Sequence, residues 1–85
     1  MAEPERYAFD YKEVVEALLK KQGIHEGIWG IYLEFGIRGA NAGPSDDQLL
    51  PVAMVPILKI GVQRFSKENS LAVDASKVNP RPEPR

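Results

Sequence analysis

Apolar residues recur at helical spacing near the start of the chain. In FDYKEVVEALLKKQG, Tyr11, Val14, Val15, Leu18 and Leu19 stand at i, i+3, i+4, i+7 and i+8, the stripe of an amphipathic helix. Asp10 is placed to accept the free amide hydrogens of the first turn, and Glu13 three residues on completes a capping box. Phe9 and Val14 occupy the two positions of a hydrophobic staple. Lys20 and Lys21 suit the negative end of the helix dipole, and Gly23 suits the left-handed closing position. The pattern then switches to period two. In IWGIYLEFGI, Trp29, Ile31, Leu33, Phe35 and Ile37 alternate with Gly30, Tyr32, Glu34 and Gly36, which predicts a strand with one heavily apolar face.

Residues 38–50 read as a long connection. Pro44 marks a turn, and SDDQ offers a second capping box, Ser45 with Gln48, for a single helical turn ending before Pro51. The period-two pattern resumes at 57–65, with Leu58, Ile60 and Val62 on one face and Lys59, Gly61 and Gln63 on the other. Pro56 lacks an amide hydrogen, so 51–56 lies on an edge, in a bulge or outside the sheet. SKENS predicts a turn with Asn69 at positive φ. LAVDA predicts a third short strand, with a helix capped by Ser70 as the rival. Setting Glu34 opposite Lys59 in an antiparallel pair brings Tyr32 to Gly61, Ile31 to Val62, Leu33 to Ile60 and Phe35 to Leu58, so the apolar partners share one face. The expected fold is therefore α+β. An N-terminal amphipathic helix packs its stripe on the Trp29–Phe35 face of a small antiparallel sheet of about three strands. The single domain spans 9–78, between a flexible N-terminus at 1–8 and a disordered proline-rich tail at 79–85.

Composition sharpens this picture chiefly by exclusion. A chain of 85 residues buries only about 60% of its unfolded surface, so its core is thin. Without cysteine it has neither disulfide nor thiolate metal site, and small domains lacking such staples often gain stability by oligomerising. Eleven basic against twelve acidic residues leave a formal charge of −1, which provides no global field for nucleic acid. Glu3 and Glu5 stand where a signal peptide would be basic. The longest apolar stretch, LLPVAMVPIL, is ten residues with two prolines, well short of the ~20 needed to span a membrane. The expected compartment is the cytoplasm, with no membrane partner.

Candidate chemistry is sparse. GIRGANAG follows a strand, as a phosphate-binding loop does, but it lacks the lysine, and Asp46 and Asp47 would repel an anion from any following helix. His25 and Glu26 are the one candidate pair for a metal or for catalysis in a site shared between subunits. The second histidine of a zinc-protease helix is replaced by Trp29. No cofactor is expected, and the balance favours a protein that is not an enzyme. For nucleic acid the candidates are Arg38, Lys59 and Arg64, with Tyr32 as a stacking platform.

A helix followed by the strand IYLEFGIRG resembles, in the order of its elements over about thirty residues, the Sm-like RNA-binding ring proteins. That resemblance implies an oligomeric nucleic-acid-binding protein. The chain departs from the family after Gly39, where ANAGPSDDQLLP replaces the expected second and third strands and the basic second motif is missing. The leading expectation is instead a non-enzymatic module that self-associates, or binds another protein, through its second sheet face. That face carries Gly30, Tyr32, Gly36 and Gly61, which are low in relief, and Val52, Met54, Val55 and Ile57 add further apolar surface.

Overall fold

The computed structural model describes residues 5–83, so the outermost parts of both predicted termini lie outside the described residues. Helix α1 spans Tyr11–Gln22 and starts as its sequence dictates. The Asp10 carboxylate accepts the Glu13 amide hydrogen at 2.9 Å, and the Glu13 carboxylate accepts that of Asp10 at 3.3 Å. It ends at Gly23, whose φ of 69° and ψ of 34° belong to the left-handed region that favours glycine. Ile24 then returns its amide hydrogen to the Leu19 carbonyl at 2.9 Å.

Five strands follow, all antiparallel: β1 (Ile28–Phe35), β2 (Arg38–Ala42), β3 (Leu50–Met54), β4 (Ile57–Phe65) and β5 (Ala72–Asp74). A three-stranded sheet runs in the order β4-β1-β5, and β2 and β3 form a separate two-stranded ribbon. Both belong to one long hairpin, because β1 runs into β2 and β3 runs into β4. The join is made by the Gly36 amide hydrogen bonding the Pro56 carbonyl at 3.0 Å. A helical turn, α2 (Ala75–Val78), closes the chain against α1.

The β1–β4 register follows the apolar parity: Ile31 faces Val62, Tyr32 faces Gly61, Leu33 faces Ile60 and Glu34 faces Lys59. It departs from expectation at one pair. Phe35 lies opposite Ile57 rather than Leu58, because a bulge between Lys59 and Ile57 leaves Leu58 as the extra residue. The predicted connection at 38–50 is also corrected. Arg38–Ala42 is a strand, matched residue by residue with Leu50–Met54, and only the tip is a connection. Its glycine and alanines have little strand preference of their own, so the pairing is set by the partner strand and by the hairpin it continues. Pro51 fits because a two-stranded ribbon leaves outward-facing positions that need no amide hydrogen.

At the ribbon tip the expected single helical turn is present as a short 3-10 turn, Asp46–Gln48. Its capping box does not form: the Ser45 hydroxyl donates to the Asp47 carboxylate at 2.6 Å and to the Gln48 side chain at 3.2 Å instead of accepting from the backbone. Asn69 does not take positive φ. Its side chain makes the turn, accepting the Leu71 amide hydrogen at 2.8 Å. The strand and the helix predicted as rivals after Leu71 both occur, in succession, and the cap is Asp74 rather than Ser70.

The core is as thin as the length implies. Val15, Leu19 and Ala75 are fully buried, and Ile24, Trp29, Ile31, Val62, Val73 and Val78 pack around them. The helix thus covers only the base of the apolar sheet face. Leu33 and Phe35, expected beneath it, lie beyond its reach and are exposed.

Asn79 was expected to begin a free tail, and instead closes the core from below. Its side-chain amide donates to the Leu19 carbonyl at 3.3 Å, which already accepts from Ile24, and to the Ile24 carbonyl at 2.8 Å, just past the end of the helix. Its own carbonyl accepts from His25 Nδ1 at 2.8 Å. Beyond it, the Arg81 guanidinium lies 3.6 Å from Glu26.

Candidate functional site

Among the described residues much apolar surface is exposed. On the helix-bearing face, Leu33, Phe35, Ile57 and Ile60 are 44, 52, 56 and 59% exposed. They continue the row in which Ile31 and Val62, further down, are partly buried. The ribbon carries this character outward. Period two puts Leu50, Val52 and Met54 on one side of β3, above their partners Ala42, Ala40 and Arg38. Every residue of β2 and β3 is exposed. From Leu49 to Leu58 the chain has no ionisable side chain.

The opposite face is less open than its glycines suggest. Gly30 is buried, because the Phe65 ring lies over the place where a Cβ would stand. Gly36 sits against Pro56, and Gly61 lies beside the Tyr32 ring, which is itself partly exposed. Glu34 and Lys59 meet across the strands at 3.9 Å, both well exposed, a pair that contributes little. Of the predicted association face, Tyr32 and Gly61 form one small step of relief, while Gly30 is already filled by the chain's own aromatic ring.

Arg38, Lys59 and Arg64 are brought to three separate places. Lys59 shares the face of Glu34 and Tyr32, whereas Arg64 lies opposite Trp29 on the other face and crowds Gly27. Arg38 stands on the ribbon opposite Met54. A groove that tracks a phosphate backbone needs its cations on one surface, and these are on different surfaces.

His25 and Glu26 are likewise engaged in holding the chain. His25 bonds Asn79, the Glu26 carbonyl accepts the indole hydrogen of Trp29 at 2.9 Å, and the Glu26 carboxylate faces Arg81. Among the described residues no three histidine, cysteine, aspartate or glutamate side chains gather as a metal site. No helix among them is long and apolar enough to cross a membrane.

Two carboxylates are held below the usual aspartate range, both by hydroxyl neighbours. Ser45 does this for Asp47. For Asp74 the Ser76 hydroxyl, at 2.6 Å, acts most strongly and the Ser76 amide hydrogen, at 2.9 Å, adds to it. A carboxylate whose pKa is lowered by folding contributes stability that is fully present above its unfolded value of about 3.9. That contribution is lost as pH falls through the lower folded value. Acid titration followed by the Ser76 amide resonance is therefore expected to show the α2 cap loosening only below about pH 4. Asp74→Asn removes that titration while keeping a capping oxygen.

No family model, curated protein or solved structure matches this chain.

What sequence reasoning missed is the ribbon's two-sided order. The signal was the alternation of Leu50, Val52 and Met54 with Pro51 and Ala53. It was masked by the proline and by a partner strand with no large side chain.

Proposed function

We propose that this protein is a self-associating assembly module with no catalytic machinery of its own, acting through the apolar sheet face that its single long helix leaves uncovered. The observation that carries this reading is the row Leu33, Phe35, Ile57 and Ile60. It continues the core face without a break and is roughly half exposed in the isolated chain. The largest apolar patch on a small protein is often a functional contact surface. A core of three fully buried side chains gives the chain a stability reason to cover it, since small unstapled domains commonly complete their cores by association.

Sedimentation equilibrium at micromolar concentration is expected to return one defined oligomer. Leu33→Glu and Ile60→Glu each place a charge on the covered face and shift the protein toward monomer, while α1, which touches neither residue's end of the sheet, keeps its circular dichroism. A wild-type chain that stays monomeric through the high micromolar range would sink the proposal.

A further inference from the structure

We infer that self-association takes the form of strand pairing between two copies of this chain along the outer edge of β1 and β2. The two edges run antiparallel about a two-fold axis at Gly36. Glu34 then stands opposite the partner's Arg38, and Phe35 opposite the partner's Ile37. This inference rests on the self-association reading above and names the contact that brings the two apolar rows together.

The first support is backbone without a partner. In an antiparallel strand, successive residues turn their amide and carbonyl groups to opposite sides. The Gly27 carbonyl accepts from Ala75 on the β5 side, and the Gly36 amide hydrogen bonds Pro56 on the β4 side. Odd-numbered residues of β1 therefore turn outward and even-numbered ones turn into the hairpin. The pairing of Phe35 with Ile57 continues at the same offset into that of Arg38 with Met54, so the alternation carries across the join. β5 covers the outer side only over residues 28–30. Among the described residues, no strand and no backbone hydrogen bond meets Leu33, Phe35, Ile37 or Gly39 there.

The second support is the contrast between the hairpin's two edges. Proline, lysine and bulges blunt the strand edges that must stay free. Pro51, Pro56, the bulge at Leu58 and Lys59 all lie on the β3–β4 side. Residues 31–42 have no proline, no lysine and no extra residue. The ribbon also gains from a neighbour. Two strands alone are at best marginally stable in water, and every residue of β2 and β3 is exposed. Pairing lays each β2 beside the partner's β1, so the ribbon becomes part of a wider sheet.

Side-chain complementarity selects a second copy as the occupant. Glu34-Phe35-Gly36-Ile37-Arg38, laid antiparallel on itself about Gly36, sets carboxylate against guanidinium at both ends and an apolar pair inside each. Arg38 has no ion-pair partner among the described residues, and Glu34 has only the 3.9 Å contact with Lys59. Further out, Leu33 meets the partner's Gly39 and Tyr32 meets the partner's Ala40, large against small. Other axes fit less well. At Leu33 the partner's Gly36 would run into Ala72, which already holds the edge at Gly30. At Glu34 two carboxylates would oppose each other, and at Phe35 each Glu34 would face a glycine. With the axis at Gly36, Phe35 and Leu33 pair with the partner's Ile37 and Gly39, each twice by symmetry, closing about eight backbone hydrogen bonds. Leu33, Phe35 and Ile37 share the helix-bearing face by period two, so the exposed rows of the two chains meet side by side.

Backbone and charge are tested separately. In amide hydrogen exchange of the wild-type chain, the Leu33, Phe35, Ile37 and Gly39 amides are expected to slow roughly tenfold or more from low to high micromolar concentration. The outward amides of Ile60 and Val62, on the β4 edge, are expected to keep their rates. Glu34→Arg and Arg38→Glu each set like charges face to face at both ends of the contact, and each is expected to weaken dimerisation roughly tenfold or more. Mixed one to one, the two variants restore opposite charges at both ends. Native mass spectrometry is then expected to show the heterodimer in excess of either homodimer. A wild-type chain that stays monomeric removes the self-association reading itself. A wild-type dimer whose four amides exchange as fast as in the monomer overturns edge pairing alone and leaves the association to the sheet faces. Protected amides with no preference for the heterodimer overturn the axis at Gly36.

Discussion

Leu19→Ala is expected to leave the chain largely unfolded at room temperature. Truncating a fully buried leucine costs about 2–5 kcal/mol, the lost transfer energy plus the cavity left behind. By length alone, 85 residues are stable by about 4–13 kcal/mol, and a core of three fully buried side chains places this chain at the low end. Leu19 is also the largest of the three, and its carbonyl takes two further hydrogen bonds, from Ile24 and Asn79. The cavity would therefore open at the point where helix end and chain end meet. Urea denaturation followed by far-ultraviolet circular dichroism measures the loss. Leu50→Ala on the exposed ribbon is the control, expected to change the stability of the protomer by less than about 0.5 kcal/mol. If the two substitutions cost the same, the core has been misplaced.

The second large effect is at Asn79. Removing its side-chain amide in Asn79→Ala takes the donor from the Ile24 carbonyl and the additional donor from the Leu19 carbonyl, which keeps the Ile24 amide hydrogen. At about 1 kcal/mol for each hydrogen bond, the loss is near 2 kcal/mol, or a fall of roughly 8–16 °C in Tm for a domain this small. Asn79→Asp should be worse, because a carboxylate would point its oxygens at two carbonyls. His25→Ala removes only the bond to the Asn79 carbonyl and should cost about half as much. A thermal scan of the three variants checks the order. Equal melting of Asn79→Ala and wild type would mean that the chain end is held by α2 alone.

These two residues also show where sequence legibility ends. Leu19 was visible because a helical stripe is a local pattern, and so were the Asp10–Glu13 cap, the Gly23 stop and the pairing of Tyr32 with Gly61. Each depends on neighbours within one or two turns, or on a parity that burial enforces over a whole strand. Asn79 depends on carbonyls 55 and 60 positions away, and nothing in VNPRP announces them. β2 was illegible for a different reason. RGANA has no hydrophobic alternation, because its role is to present backbone and small side chains to β3. Gly30 was expected on a low-relief face open to a partner, and that position is instead covered by Phe65 of the same sheet. A strand's periodicity says which face a residue is on and not which neighbour reaches over it. The uncovered apolar row was legible as composition, yet its position depended on how far one helix reaches, which is a matter of tertiary geometry.

The extra residue at Leu58 sets a limit on how far the proposed association could spread. Strand β4 has β1 on one side and an unpaired edge on the other, and nine residues of open edge are a template on which further chains could add without limit. Here the bulge interrupts the edge near its start, Pro56 removes a donor just before it, and Lys59 and Arg64 load the remainder with like charge. Edge-to-edge growth would have to match this irregular edge to another copy of itself. Growth by that route is thereby disfavoured, and the outer edge of β1 and β2 is left as the one for contact. Contact there about a two-fold axis can end in a closed particle of fixed size, where addition at both edges would lead to fibres.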